Sequence, residues 1–136
     1  MYPESLVKPI KAELINSGFE DITTPEDIEK AIKQDGTVLV VVNSVCGCAA
    51  GAARPGIKLS LTNNKKPSKL TTVFAGFDTE AVAQARKHFA PYPPSSPAIA
   101  LFKNGELVHF VERHNIEGRT AAMIADHLKM VYDEFC

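Results

Sequence analysis

The residues best suited to chemistry are two cysteines, Cys46 and Cys48, which flank Gly47. An unbroken apolar run at residues 38–42 and a short polar turn precede them, and a segment of small residues at 49–53 follows. This order predicts a buried strand, a turn and then a helix, with the thiols at the helix N-terminus. Unpaired N–H groups and the positive end of the helix dipole stabilise an anion there, which lowers the pKa of a thiol. The pattern therefore predicts redox or thiol-transfer chemistry.

Other uses of the same cysteines have to be considered. A single cysteine at a strand end is more often a small buried hydrophobe than a nucleophile. Zinc sites space paired cysteines by two to four residues and need four ligands, for which only Cys136, acidic side chains and four scattered histidines are available. We expect no resident metal. A metal or iron–sulfur carrier using Cys46, Cys48 and a third ligand is the alternative, and a binding module without turnover is a third possibility.

The two cysteines are not equivalent. Cys46 comes first and lies nearer the helix end, so its thiolate is expected to be the better stabilised and more exposed. Residues two apart on a helix point about 200° from each other. A Cys46–Cys48 bond therefore requires the backbone to leave the helix, which Gly47 permits at low steric cost. The resulting disulfide is expected to be strained and easily reduced, which suits exchange better than storage of reducing power.

Several other residues are weaker candidates for the site. Arg54 could add positive potential near the thiolate, although a solvated arginine is the simpler interpretation. Cys136 is the last residue, and a mobile terminal thiol explains it at least as well as a resolving role does. His109 and His114, near Arg113, could contact an anionic thiol ligand, but the alternating pattern around His109 favours exposure to solvent.

Length and composition limit the function classes. The chain has 136 residues, 45% of them hydrophobic, which predicts one domain over residues 1–136. Its 15 basic and 16 acidic residues nearly cancel, so we expect neither nucleic acid nor membrane as a partner. The first residues lack the features of a secretory signal, so we expect a cytoplasmic protein. In a reducing cytosol, a close cysteine pair is more often catalytic or metal-bound than structural.

The remaining pattern predicts the elements that position the cysteines. Strands are predicted at residues 19–23, 38–42, 71–75, 98–103 and 106–111, and helices between and around them, with residues 1–18 as an N-terminal helical extension. Thr24 and Pro25 mark a helix start, and Asn104–Gly105 marks a hairpin. Pro9 is expected to kink or shorten the first helix, and Pro55 to kink the one after the cysteines. The order predicts an α/β fold with a central mixed sheet flanked by helices, whose site lies at the carboxyl ends of strands.

This pattern resembles the thioredoxin fold. The likeness rests on the central strand, on the cysteine motif opening a helix that contains Pro55, and on Pro97 leading into the strand of the segment SPAIALFKNGE. Within that fold, VVVNSVCGCAAGAARPG at residues 40–56 and the segment at 94–97 are similar to the bacilliredoxin family. Members of this family are thiol-disulfide oxidoreductases with CGC in place of CxxC.

The resemblance implies a function and a set of roles. It implies removal of bacillithiol, or a similar low-molecular-weight thiol, from mixed disulfides on client proteins, with weak disulfide isomerase activity as a second possibility. Cys46 would attack, Cys48 would be its partner, and Pro97 would be a cis-proline facing them. Gly47, Ser96 and Pro97 are the expected substrate-binding residues. No bound cofactor is expected, since the small thiol serves as co-substrate and thiolated proteins are the partners.

Overall fold

The computed structural model describes all 136 residues, Met1–Cys136, and is built on a five-stranded sheet. The strands are β1 (Glu20–Asp21), β2 (Thr37–Asn43), β3 (Lys69–Phe74), β4 (Ala98–Lys103) and β5 (Glu106–Val111). Their order across the sheet is β1-β3-β2-β4-β5. The first three strands run parallel, β4 is antiparallel to β2, and β5 is antiparallel to β4. The predicted mixed sheet is therefore present, with β2 at its centre.

Six α-helices and one π-helical turn surround the sheet. They are α1 (Glu4–Ile15), α2 (Pro25–Lys33), the π turn (Ala49–Ala53), α3 (Arg54–Ser60), α4 (Thr79–Arg86), α5 (Arg113–Ile116) and α6 (Ala121–Phe135). The predicted cap of α2 is confirmed, because Thr24 Oγ1 accepts a hydrogen bond from the backbone of Asp27 and Pro25 is the first helical residue. No helix is both long and apolar enough to cross a membrane.

The observed helices differ from the predicted ones in two respects. The first helix is not shortened at Pro9 but runs through it, since a proline there deprives only the carbonyl of Ser5, in the first turn, of its helical partner. The one-turn helix α5 was not predicted.

The central strand separates two hydrophobic cores. Val38, Val40 and Val42 pack with α2 and α4 on one face, whereas Leu39 and Val41 pack with α1, α3 and α6 on the other. Every residue of β2 is buried. A strand that is covered on both faces has apolar, often β-branched residues at every position, and residues 38–42 show this pattern.

The predicted hairpin between β4 and β5 is confirmed. Asn104 (φ 52°) and Gly105 (φ 84°) both adopt the left-handed conformation that the two-residue turn requires. The Asn104 side chain accepts a hydrogen bond of 2.9 Å from the backbone of Gly36, which joins the hairpin tip to the start of β2.

The strand register brings three loops to one edge of the sheet. Val42, at the end of β2, lies opposite Ala98 at the start of β4, and Ile99 lies opposite Val111 at the end of β5. The segment after β2, the segment before β4 and the segment after β5 therefore meet. The cysteines lie in the first of these segments, so this edge is the candidate site.

Candidate active site

Cys46 occupies the position just before the helix that follows β2. Its backbone N–H donates to Ser44 Oγ at 3.0 Å, and its carbonyl accepts from the N–H groups of Ala49 and Ala50 at 3.0 and 3.2 Å. Helical structure begins at Gly47. The predicted placement of the thiols at a helix N-terminus is confirmed.

The two thiols adjoin each other. The Sγ atoms of Cys46 and Cys48 are 2.7 Å apart, and the Cys48 backbone N–H lies 3.4 Å from Cys46 Sγ. Both cysteines are free. The prediction that the two sulfurs can meet only where the backbone leaves the helix is confirmed, because Cys46 lies outside the helix. The backbone leaves helical geometry there, and Gly47 is not among the glycines with positive φ.

The surroundings shift the pKa values of the two thiols in opposite directions. The pKa of Cys46 is lowered, chiefly because the Cys48 thiol donates a hydrogen bond to it, with help from the Cys48 N–H, the charge of Arg113 and the Ala49 N–H. The pKa of Cys48 is raised, first by burial and then by its hydrogen bond to Cys46 and the negative charge there. The first proton therefore leaves Cys46, as predicted.

The segment before β4 brings the predicted proline to the same edge. The Ser96–Pro97 peptide bond is cis, which confirms that prediction, and Ala90–Pro91 is also cis, which the sequence did not predict. Pro97 is buried, whereas Ser96 is half-buried and keeps part of its surface open. The structure thus places both residues at the edge that carries the thiols, and their part in substrate binding stays a prediction.

Arg113, the first residue of α5, is a site residue that the sequence analysis noted only as a neighbour of two histidines. Its backbone N–H lies 3.3 Å from Ser95 Oγ, and its Nη1 lies 3.4 Å from the Ser96 carbonyl oxygen. Its Nε donates to Glu117 Oε1 at 2.9 Å. A signal was available, since Arg113 follows the last strand at the edge where the site was expected.

Arg54 is buried beneath the cysteine turn, so the interpretation as a solvated arginine is wrong. Its side chain is 4% exposed. Nη1 donates to the Ser44 carbonyl oxygen at 2.8 Å and to Asn43 Oδ1 at 3.1 Å, and Nε donates to Glu13 Oε2 at 3.1 Å. A buried guanidinium needs such partners. Arg54 therefore supports the backbone that leads into Cys46.

Cys136 is not part of this arrangement. It lies beyond the end of α6, beside the hydroxyl of Thr37 at the start of β2, and burial raises the pKa of its thiol. The start of β2 is the opposite end of the strand from the cysteine turn. The structure thus does not bring Cys136 to the site where a supporting role was considered.

Of the two candidate histidines, only His109 differs from expectation. His109 is not simply solvent-facing, because its Nε2 lies 2.9 Å from Nε2 of His127 on α6. Burial, together with His127, lowers the pKa of His109. His114 is exposed, with Nε2 3.6 Å from a carboxylate oxygen of Glu112.

The ligand set needed by the carrier alternative does not converge. No group of three or more histidine, cysteine or acidic side chains is placed to hold a metal ion. Cys46 and Cys48 thus lack the third ligand on which that alternative depends.

Fold and site together define a class of protein. The structure is similar to a putative oxidoreductase with a thioredoxin fold (TM-score 0.60, 18% identity, covering 78% of this chain and 91% of the other). It is also similar to oxidised thioredoxin from Plasmodium falciparum (TM-score 0.58, 18% identity, covering 87% and 98%). The predicted thioredoxin-like fold is confirmed, and an adjoining thiol pair at the edge of such a sheet defines a thiol oxidoreductase.

Sequence comparison identifies the family. A family model described as disulphide isomerase matches residues 2–136. A bacilliredoxin from Cytophaga hutchinsonii is 66% identical over 134 residues, covering 98% of this chain and 99% of that protein. A bacilliredoxin from Halalkalibacterium halodurans is 49% identical over 136 residues, covering 99% and 94%. The chain belongs to the bacilliredoxin family.

Proposed function

We propose that this oxidoreductase removes a low-molecular-weight thiol, bacillithiol or a similar compound, from mixed disulfides on client proteins. The observation that carries the proposal is the asymmetry of the adjoining thiols, in which Cys46 has the lowered pKa and Cys48 the raised one. Such a pair supplies a nucleophile and, beside it, a second thiol that can resolve the mixed disulfide. We also place this activity in the cytoplasm, where a cysteine pair is kept reduced.

The first step is attack by the Cys46 thiolate on the small-thiol sulfur of the mixed disulfide. A bond forms between Cys46 Sγ and that sulfur, while the original S–S bond breaks and the client leaves as a thiolate that takes up a proton. The product carries the small thiol as a mixed disulfide on Cys46. The client sulfur keeps the electron pair of the broken bond and is formally reduced by one electron, while Cys46 Sγ is oxidised by one electron in the new bond.

Two routes complete the cycle. Cys48 can lose its proton and attack Cys46 Sγ, which releases the small thiol and leaves a Cys46–Cys48 disulfide. A second molecule of the small thiol can instead attack the small-thiol sulfur, which restores the Cys46 thiolate and releases the small thiol as its own disulfide. Burial, the largest cause of the raised pKa of Cys48, persists after the Cys46 sulfur has been neutralised, and it limits the thiolate available for the first route near neutral pH.

The segment before β4 is the proposed binding surface for the client. The backbone on either side of the Ser96–Pro97 bond lies at the edge of the sheet next to the cysteine turn, and Gly47 is exposed there with no atom within 4 Å of a Cβ at its position. These three residues can approach an extended client segment without a bulky side chain intervening.

The test measures release of a small thiol from one client protein by variants in which one cysteine at a time is replaced by serine. We expect Cys46→Ser to be inactive under all conditions. Cys48→Ser should retain substantial activity when free thiol is abundant, and should trap the mixed disulfide on Cys46, detectable by mass spectrometry, when it is scarce. Cys136→Ser, at the far end of β2, is the matched control and should behave as the wild type.

Opposite results would contradict the proposal in distinct ways. A Cys48→Ser variant that is inactive at saturating thiol would make the internal disulfide obligatory. A Cys46→Ser variant that still releases the thiol would mean that Cys46 is not the nucleophile.

Weak disulfide isomerase activity is a second candidate, favoured by the description of the family model that matches the chain. A nucleophile that captures a client disulfide could release it in a different pairing by the same chemistry. Recovery of activity of a scrambled test protein would measure it, and Cys46→Ser should abolish that recovery. Equal recovery with and without the protein would dismiss this candidate.

A further inference from the structure

Arg113 is held across the site by contacts to the segment that precedes Pro97. Its backbone N–H bonds to Ser95 Oγ, and its Nη1 reaches the Ser96 carbonyl oxygen. The short helix that Arg113 begins is itself fixed by a reciprocal pair of side-chain bonds between Glu112 and Asn115. The backbone that carries the guanidinium is thus fixed and is not part of a free loop.

The charge of Arg113 acts on both thiols. It lowers the pKa of Cys46 and of Cys48, although other causes outweigh it at Cys48. Among the leading influences on the two thiols, Arg113 is the one basic side chain. Arg113 is therefore a cation within electrostatic reach of both thiols.

The present partner of Arg113 is readily exchanged. Nε donates to the Glu117 carboxylate at 2.9 Å, and the two side chains are 46% and 55% exposed. An ion pair this open to solvent is weak, because water and salt compete with it. The contact also shows that the guanidinium accommodates a carboxylate at this position. A carboxylate from a ligand could replace that of Glu117.

The reaction changes the number of negative charges near the Arg113 guanidinium. Before attack, the Cys46 thiolate and the Glu117 carboxylate are both near the guanidinium. After attack, the Cys46 sulfur is neutral in its mixed disulfide, so the guanidinium has lost one of its two anions. A carboxylate on the newly attached small thiol would supply the missing negative charge, whereas an ammonium group would be repelled.

We propose that Arg113 forms a carboxylate subsite beside Cys46, which binds the small thiol of the mixed disulfide and selects thiols that bear a carboxylate. The inference rests on the proposed function and names the substrate class of that site. Arg113 serves two anions in turn, first the thiolate and then the carboxylate of the attached thiol. Glu117 binds the guanidinium in the absence of ligand and competes with the carboxylate of the ligand when the ligand binds.

The experiment compares one client protein carrying three different small thiols as mixed disulfides. The thiols are 3-mercaptopropionate with a carboxylate, 2-mercaptoethanol without charge, and cysteamine with an ammonium group. The leaving group, the client thiolate, is then the same in every arm. Rates are measured at a pH where alkylation of Cys46 has reached its plateau, so that thiolate occupancy does not differ between variants.

For the wild type we expect the carboxylate-bearing adduct to react fastest and the ammonium-bearing adduct slowest. Arg113→Gln should reduce the ratio of the carboxylate to the neutral rate by about fivefold, as expected for loss of one exposed ion pair. Arg113→Lys should keep most of that ratio, and Glu117→Gln should raise it. Arg119→Gln is the matched control, since Arg119 is an exposed arginine in the same segment with no side-chain bond.

The inference is overturned if Arg113→Gln leaves the ratio unchanged at the plateau, because Arg113 would then act only through the acidity of Cys46. Circular dichroism of each variant establishes that it is folded. If the wild type releases none of the three thiols while Cys46 is alkylated normally, the proposed function itself is wrong, and the subsite with it. The two failures are therefore distinguishable.

Discussion

Two chemically identical side chains at the site have opposite properties because of how they face each other. Cys46 lies at the open start of the helix and receives hydrogen bonds from the Cys48 thiol and from backbone N–H groups. Cys48 is one position inside the helix, where burial and the nearby charge on Cys46 both oppose its ionisation. The pair therefore holds its remaining proton on Cys48 and offers its negative charge at Cys46.

The asymmetry predicts how alkylation depends on pH. Because the folded environment lowers the pKa of Cys46, we expect its alkylation by iodoacetamide to have a midpoint below the value of about 8.5 for a free cysteine. Cys48→Ala removes the largest stabilising contact and should move that midpoint upward, whereas Cys136→Ser should not move it. Peptide mapping of the alkylated protein identifies which thiol reacts. Faster labelling of Cys48 at neutral pH would contradict the assignment.

Some site residues could be predicted from the sequence because the signal is local. Cys46 and Cys48 stand next to a strand and a helix start, and Pro97 directly precedes a strand. Arg54 could not be placed in the same way, because its partners include Glu13, 41 residues away, and its role arises only when separate elements pack together. For Arg113 the available signal was its position just after the last strand.

At the scale of the elements, the helix after the cysteines departs from α-helical geometry. The backbone N–H of Arg54 bonds to the carbonyl of Ala49, which gives the wider π turn at Ala49–Ala53. Pro55 follows directly and has no N–H to offer the preceding turn. The sequence predicts an irregularity near Pro55, and the structure places it one turn earlier. Turns of this type are frequent at functional sites.

The approach of α3 to α6 depends on Gly56. A Cβ at this position would lie 2.8 Å from Ile124 Cβ and 2.9 Å from the Ala121 carbonyl oxygen. We expect Gly56→Ala to lower the free energy of unfolding by about 1–3 kcal/mol, because the two helices must move apart. Gly51→Ala is the matched control, since no atom lies within 4 Å of a Cβ there. Urea unfolding measures both, and equal stabilities would show that the helices adjust without cost.

Elements with strong local signals were predicted close to their observed bounds. An apolar run specifies β2, and the Asn104–Gly105 dipeptide specifies the hairpin turn. The Thr24 cap specifies the start of α2. The one-turn helix α5 was missed because four residues are too few for a periodic pattern. Its capping pair, Glu112 and Asn115, was the available signal.

At the scale of the whole molecule, strand topology decides which cysteines can cooperate. β2 spans seven residues, or roughly 20 Å, between the end near Cys136 and the end that leads to Cys46. The third thiol is therefore too far away to resolve a mixed disulfide on Cys46 in the same chain. This separation could not be predicted from the spacing of cysteines along the sequence, because it depends on where α6 ends.

Topology also determines how α1 is joined to the sheet. Lys11, a buried residue of this helix, lies with Nζ 3.0 Å from Asp21 Oδ1 and 2.9 Å from Asp78 Oδ2, and 5.0 Å above the ring of Phe77. Burial alone would lower the pKa of Lys11, but its bonds to Asp78 and Asp21 outweigh that and raise it. The N-terminal helix is thus fixed by a buried charge cluster beside the end of β3.

Removing this cation should destabilise the whole protein. We expect Lys11→Met to lower the free energy of unfolding by about 3–5 kcal/mol near neutral pH, because Asp78 would stay buried without its partner. Lys8→Met, an exposed lysine of the same helix, is the matched control and should cost little. Because the pKa of Lys11 is raised, the loss for Lys11→Met should shrink as the pH rises above the ordinary lysine value of about 10.4, where the wild type loses its own cation. Thermal or urea unfolding across this pH range measures it, and equal losses for the two variants would mean that the cluster does not anchor α1.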